Sequence, residues 1–182
     1  MRSAHYLHRM KHTQRGTALV MALVFLLLMT MLGITAINTS TLEERMAGNT
    51  KDQNLAFQAA ETALRAGELW VESRTSEAQL TVNTANGIYD PAPATSGIEN
   101  WDSVVWSGTT NLVTYPGVPG TASTTGTLAG VSTQPKYIIE ILGSSPGVPP
   151  AGNIVTVRIT ARGTGASDNT VSMVQSIVSK AF

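Results

Sequence analysis

From Ala18 to Ile37 the chain reads ALVMALVFLLLMTMLGITAI, twenty positions with no charge and with apolar residues on every side of a helix drawn through them. Rising about 1.5 Å per residue, that helix would cross roughly 30 Å of hydrocarbon, the thickness of a bilayer core. A cleaved secretory signal fits poorly, because its apolar core is only about 7 to 15 residues long and is followed by a small-residue cleavage site. Past this run the pattern changes to helix formers with spaced charges, NLAFQAAETALRAGELWVESRTSEAQL from Asn54 to Leu80. Phe57, Ala60, Leu64 and Val71 recur at helical spacing and predict one apolar stripe, with Glu61, Arg65, Glu68 and Glu72 on another face. Such a stripe predicts packing against the protein's own core in preference to a binding surface. Between the two tracts, INTSTLEERMAGN from Ile37 to Asn49 has Thr41 and Glu44 at capping-box spacing. A kink there competes with a continuous helix, which a single Gly at a cost of about 1 kcal/mol does not forbid.

From residue 81 to residue 135 the periodicity dissolves into Gly, Pro, Ser, Thr and Asn, and turns are predicted throughout. Trp101, Val104, Val105, Trp106, Val113 and Tyr115 are its apolar anchors, expected to pin the tract onto a sheet more readily than to face a receptor. Alternation then takes over in Lys136–Leu142, Asn153–Gly163 and Thr170–Phe182, three strands joined by turn-rich connectors. In the second of these, Ile154, Val155, Val157 and Ile159 compete for the buried face, while Thr156, Arg158 and Thr160 alternate with them. Short links favour an antiparallel meander. The expected fold class is α+β: a long N-terminal helix, membrane-spanning in its first half, packed on a C-terminal antiparallel sheet of about three or four strands. The expected zones are a basic segment at 1–16, a transmembrane half-helix at 17–37, its continuation at 38–80, loops at 81–135 and the sheet at 136–182.

Charge orients this plan. Arg2, Arg9, Lys11 and Arg15 precede the apolar run, and no acid appears before Glu43. The basic side is expected to stay cytoplasmic and the rest of the chain to lie across the membrane. Loss of the basic segment would leave eight of the twelve cations against twelve acids. A mildly acidic chain argues against nucleic acid as a partner. Nothing in the sequence points to catalysis. There is no Cys, His5, His8 and His12 all lie in the basic segment, and no phosphate loop, nucleophile elbow or metal-ligand spacing is present. Asp90, Glu99 and Asp102 do not form a calcium loop. No enzyme activity, cofactor or metal is therefore expected.

A short basic leader ending in Gly, an apolar helix and a downstream sheet together resemble the type IV pilin and pseudopilin superfamily, beginning at QRGTALV, Gln14 to Val20. The resemblance implies cleavage by an inner-membrane prepilin peptidase between Gly16 and Thr17, followed by N-methylation of Thr17. Gly at the cleaved position has no side chain to keep the peptidase from the backbone. Most pilins carry Glu at the fifth mature position, where this chain has Met21. A Glu in hydrocarbon costs about 2.5–3.5 kcal/mol and is tolerated when it pairs with the terminal ammonium of the neighbouring subunit. A subunit without it suits the first position of a filament. TLEERMAGN (Thr41 to Asn49), DQNLAFQAAETALRAGE (Asp52 to Glu68) and ITARGTGASDNTV (Ile159 to Val171) are similar to the PilX-type minor pilins. That implies a minor pilin that primes pilus assembly, supports adhesion and twitching motility, and sits at the tip with other minor pilins, the major pilin and a large adhesin. Before assembly its place would be the bacterial inner membrane with a periplasmic domain, and afterwards the cell-surface pilus tip. Thr41, Glu43, Glu44 and Arg45 are candidates for a helix cap or for contact with a partner. A minor pseudopilin of type II secretion and an uncleaved single-pass scaffold are the alternatives.

Overall fold

The computed structural model describes residues 16–91, 100–123, 125–147 and 152–182. Helix α1 runs without interruption over Thr17–Glu72. The chain divides into two compact units, the first ending at Ala47 and the second comprising Gly48–Phe182.

In the first unit every described side chain is exposed, including Leu19, Met21, Phe25, Leu28 and Leu32. This helix is long and apolar enough to cross a membrane. Its hydroxyls are made compatible with hydrocarbon locally: Thr30 donates to the Leu26 carbonyl at 2.7 Å and Thr35 to that of Met31 at 2.9 Å. A hydroxyl bonded one turn back leaves no donor that only water could satisfy.

In the second unit, α1 packs on a sheet. The strands are β1 (Ile88–Tyr89), β2 (Val113–Thr114), β3 (Lys136–Pro146), β4 (Asn153–Thr164) and β5 (Val171–Ala181), in the order β1-β3-β4-β5 with β2 also paired to β3. The meander β3-β4-β5 is antiparallel as its short connectors require. The expectation of a wholly antiparallel sheet needs correction, since β1 runs parallel to β3. The chain reaches that edge through a one-turn 3-10 helix at Thr84–Asn86, and the Gly87 carbonyl accepts from Ile139 N at 2.8 Å.

Register on β4 is decided in favour of Val155, Val157, Ile159 and Ala161, which join Tyr137 and Ile139 of β3 in the core beneath α1. The predicted helix stripe shifts as well. Ala56, Ala59, Ala60, Ala63, Gly67, Trp70 and Val71 form the buried face, whereas Phe57 is 45% exposed. Small residues won because they let the helix backbone approach the sheet closely, which Phe57 in that position would prevent. α1 ends at Glu72, short of the expected Leu80, where Ser73 and Arg74 both donate to the Trp70 carbonyl, at 2.7 and 3.2 Å. These bonds satisfy orphan acceptors of the last turn and stop the helix.

The opposite face of the sheet is covered in part by the loop tract. Lys136 reaches out of β3 to donate to the carbonyls of Trp106 and Gly108, at 2.9 and 2.7 Å. Val113 is buried, and Trp101, Val104, Trp106 and Tyr115 are half-buried, so these anchors pin the tract inward; Val105, 69% exposed, does not. Beneath the tract, Arg158 grips Glu140 with two hydrogen bonds of 2.8 and 3.0 Å.

Candidate functional site

Three places bear on function: the helix start, the polar segment after the apolar run, and the contact between α1 and the β4–β5 hairpin.

Gly16 directly precedes α1, and a Cβ built on it would meet nothing within 4 Å. Its backbone is therefore open to approach. Thr17 is the first helical residue, and Met21, one turn further, is 63% exposed. The charged segment before Gly16, with His5, His8 and His12, lies outside the described residues.

Thr41 sits well inside α1, where its hydroxyl donates to the Ile37 carbonyl at 2.9 Å. No helix begins at this point, so the Thr41–Glu44 spacing has no terminus to cap. Glu43, Glu44 and Arg45 are exposed on the same continuous helix. Gly33 and Gly48 both have open space where a side chain would be. Neither has a packing reason to be glycine within this chain.

The third place brings together two stretches more than 90 residues apart in the chain, Asp52–Glu68 on α1 and Ile159–Val171 on the hairpin. Gly163 of β4 faces the helix so closely that a Cβ would lie 2.4 Å from both Ala56 O and Ala60 N. Further along, Gly67 of α1 sits against Ile159 and Tyr137, with a built Cβ only 2.9 Å from Ile159 Cγ2. Glycine is needed once on each element, where backbone meets a neighbour without an intervening side chain. Asp52 closes the other end: its carboxylate accepts from Ala166 N at 2.5 Å, and a Cβ on Gly165 would collide with it. The Thr170 hydroxyl, then the Ala166 and Ser167 amides, hold the Asp52 carboxyl below its ordinary range.

A second carboxylate fastens the same hairpin to the loop tract. Asp168 accepts from the Thr133 hydroxyl at 2.7 Å, and hydrogen bonds from Thr133 and Ser132 lower its pKa. Ser132 N donates to Gly165 O at 2.7 Å, and Thr133 N to the Thr164 hydroxyl at 3.1 Å. The β4–β5 turn is thus clamped from the helix by one acid and from the loop by another. Asp52 is half-buried and Asp168 exposed, both are hydrogen-bond acceptors occupied by the protein itself, and the arrangement is one for holding shape.

None of Asp52, Gly67, Gly163 or Asp168 was marked as a site by sequence reasoning. The helix carries a legible trace in its small residues at 56, 59, 60, 63 and 67, which read as a close-packing face once the sheet is in place. Asp52 and Asp168 carry no local signal, because their partners are main-chain amides and hydroxyls distant in sequence. Among the described residues no group of His, Asp or Glu is arranged to hold a metal.

Comparison with known families accords with the placement of these stretches. The PilX N-terminal family model matches residues 15–65, and the model for the C-terminal part of the type IV pilus assembly protein PilX matches residues 43–180. No curated protein and no solved structure gave a match.

Proposed function

Since the chain belongs to the PilX family of type IV pilus assembly proteins, we propose that this minor pilin starts filaments and remains at or near the pilus tip. The observation that carries the reading is Met21, an apolar residue one turn into an uncharged helix, where the elongating subunits of the superfamily carry Glu. An incoming subunit without that carboxylate has nothing to offer the terminal ammonium of the subunit above it. The first subunit of a filament has no subunit above it. In this position Met21 costs nothing in assembly and avoids the penalty of about 2.5–3.5 kcal/mol for a carboxylate in hydrocarbon.

The remaining steps follow from the same reading. Prepilin peptidase cuts after Gly16, and Thr17 becomes the methylated N-terminus. The basic segment keeps that end cytoplasmic, and the second unit lies in the periplasm until assembly carries it to the cell surface. Thr41, Glu43, Glu44 and Arg45, with no helix terminus to serve, are available to touch neighbouring pilins or the adhesin. Adhesion and twitching depend on this chain through the filaments it starts.

Quantitative mass spectrometry of sheared filaments tests the proposal. The chain is expected at a small fraction of the major subunit, with its N-terminal peptide beginning at Thr17. A Met21→Glu variant is expected to enter the shaft in more copies. Recovery of the unaltered chain as bulk filament protein, or of an intact Met1 end in the membrane, would overturn it. Loss of enzyme export with normal piliation on deletion would instead assign the chain to a secretion system.

A further inference from the structure

The two long edges of the sheet are treated differently. On one side β3 is covered by β1 and β2, each two residues long. On the other, β5 pairs only with β4 among the described residues, and its far edge runs bare for eleven residues.

The register identifies which groups are bare. Gly165 N donates to Thr170 O and Phe182 N to Asn153 O, which places the even-numbered residues of β5 in the hydrogen-bonded pairs with β4. The odd-numbered residues, Val171, Met173, Gln175, Ile177, Ser179 and Ala181, therefore point N–H and C=O toward the open edge. Their side chains line the sheet face away from α1, where Val171 is 42%, Met173 40% and Ile177 65% exposed.

Soluble proteins guard such an edge with charge, Pro, a bulge or shortness. β5 has none of these. VSMVQSIVS, Val171 to Ser179, has no charge, no Pro and no Gly, and its pairing to β4 has no register shift. The single cation, Lys180, is at an even position and is bound to the Glu72 carbonyl at the end of α1. A row of unpaired amides and carbonyls matches one kind of occupant, an extended peptide backbone. The alternation of exposed apolar side chains asks that strand for apolar residues at every second position.

Twofold self-pairing does not fit. Twofold pairing of β5 with itself is antiparallel and reverses the whole second unit, including its part of α1. Two membrane-anchored chains must present their helices in the same direction.

We propose that the β5 edge is a docking site for an extended strand from a different exported protein of the pilus, with apolar residues at alternate positions, which adds itself to the sheet beside β5. The identity of the partner's compartment rests on the pilus reading; the edge itself does not.

The test uses the full chain in pilus-producing cells, with a photo-reactive residue in place of Ser179, which is exposed on the outer face beside the open edge, where its hydroxyl shares a hydrogen bond with that of Thr156. An adduct is expected with another exported protein, through a segment of alternating apolar residues identified by mass spectrometry. Two variants examine whether backbone pairing is responsible. Ile177→Pro removes an outward N–H and no bond to β4, and Ile177→Glu places a charge against the incoming strand while facing Arg158 of β4. Loss of one edge hydrogen bond and its apolar contact is expected to lower the adduct yield roughly tenfold in each. The melting temperature of the second unit and processing at Thr17 are expected to be unchanged. An adduct with a second copy, no adduct in piliated cells, or undiminished yield in both folded variants would overturn the proposal. Failure of processing at Thr17 in the unaltered chain would instead count against the pilus reading.

Discussion

Replacing Gly163 by Ala tests whether the helix is seated on the sheet by backbone contact. The added methyl would sit 2.4 Å from Ala56 O and from Ala60 N, about 1 Å closer than the 3.4 Å at which ordinary contact begins. Both obstacles are helix backbone, which cannot rotate aside as a side chain can, so α1 must retreat along the whole Ala56–Val71 face. Overpacking of this kind costs about 1–3 kcal/mol, and the value here belongs at the upper end. For a unit of 135 residues, Gly48 to Phe182, that corresponds to a fall in melting temperature of roughly 5–15 °C. Two companions calibrate the result. Gly67→Ala meets Ile159 Cγ2 at 2.9 Å, a side-chain atom, and gains about 1 kcal/mol of helix propensity, so its net loss is expected to be smaller. Gly48→Ala meets nothing and is expected to stabilise by about 1 kcal/mol at most. Thermal unfolding of the purified full-length protein, followed by the Trp70 environment, measures all three. A Gly163→Ala protein that melts with the unaltered chain would refute the close-contact account.

Two further predictions concern the charges. Asp52 and Asp168 both titrate below the ordinary carboxylate value of 3.8 when folded, so their stabilisation is fully present above that pH and is lost as pH falls through the lower folded values. Protection of Ala166 N from hydrogen exchange, taken against its intrinsic rate at each pH, is expected to fall below about pH 4, and Asp52→Asn to weaken that pH dependence; protection that ignores both would count against the clamp. On the outer face, Glu140 is fully buried and Arg158 is half-buried. Arg158→Met is expected to cost about 3–5 kcal/mol by stranding a buried carboxylate, with much of that recovered in the Glu140→Leu, Arg158→Met double variant. Equal melting temperatures for the single and double variants would show that loss of Arg158 does not strand the Glu140 carboxylate.

The parts of this fold that were legible in sequence are those governed by local periodicity. The uncharged run declares α1 because no other element buries its backbone polar groups in hydrocarbon. The strands Lys136–Pro146, Asn153–Thr164 and Val171–Ala181 declare themselves by alternation and by the turn residues between them. Positions set by a partner distant in the chain were not legible. Phe57 was expected inside because it is large and apolar, but the helix is buried through alanines. At that level the backbone of Gly163 lies against Ala56 and Ala60, and further along Tyr137 and Ile159 lie against Gly67. β1 and β2, two residues each, are defined only by the β3 edge they cover and leave no period to detect. The continuous helix wins over a kink at Thr41–Glu44 for a related reason: capping-box spacing stabilises a helix start only where the preceding turn is absent, and Ile37 supplies that turn.

The contact between α1 and the hairpin also gives a physical reason for the two stretches that resemble PilX-type minor pilins in sequence, within a C-terminal family match that runs through the tract between them, residues 43–180. Asp52–Glu68 and Ile159–Val171 are the two sides of a single joint, and each is sterically defined by the other. Gly163 is required by the backbone of Ala56 and Ala60, and Gly165 and Ala166 by the carboxylate of Asp52. The tract from 81 to 135 makes different demands: Lys136 holds it through the main-chain carbonyls of Trp106 and Gly108, which any residue at those positions supplies. The joint is therefore held by steric fit between side chains and backbone, and the loop by main-chain carbonyls. The bare β5 edge lies on the joint's side of this division. Its main-chain groups are set by the β4 register, while Met173 and Gln175 on its outer face meet Trp101 of the loop tract.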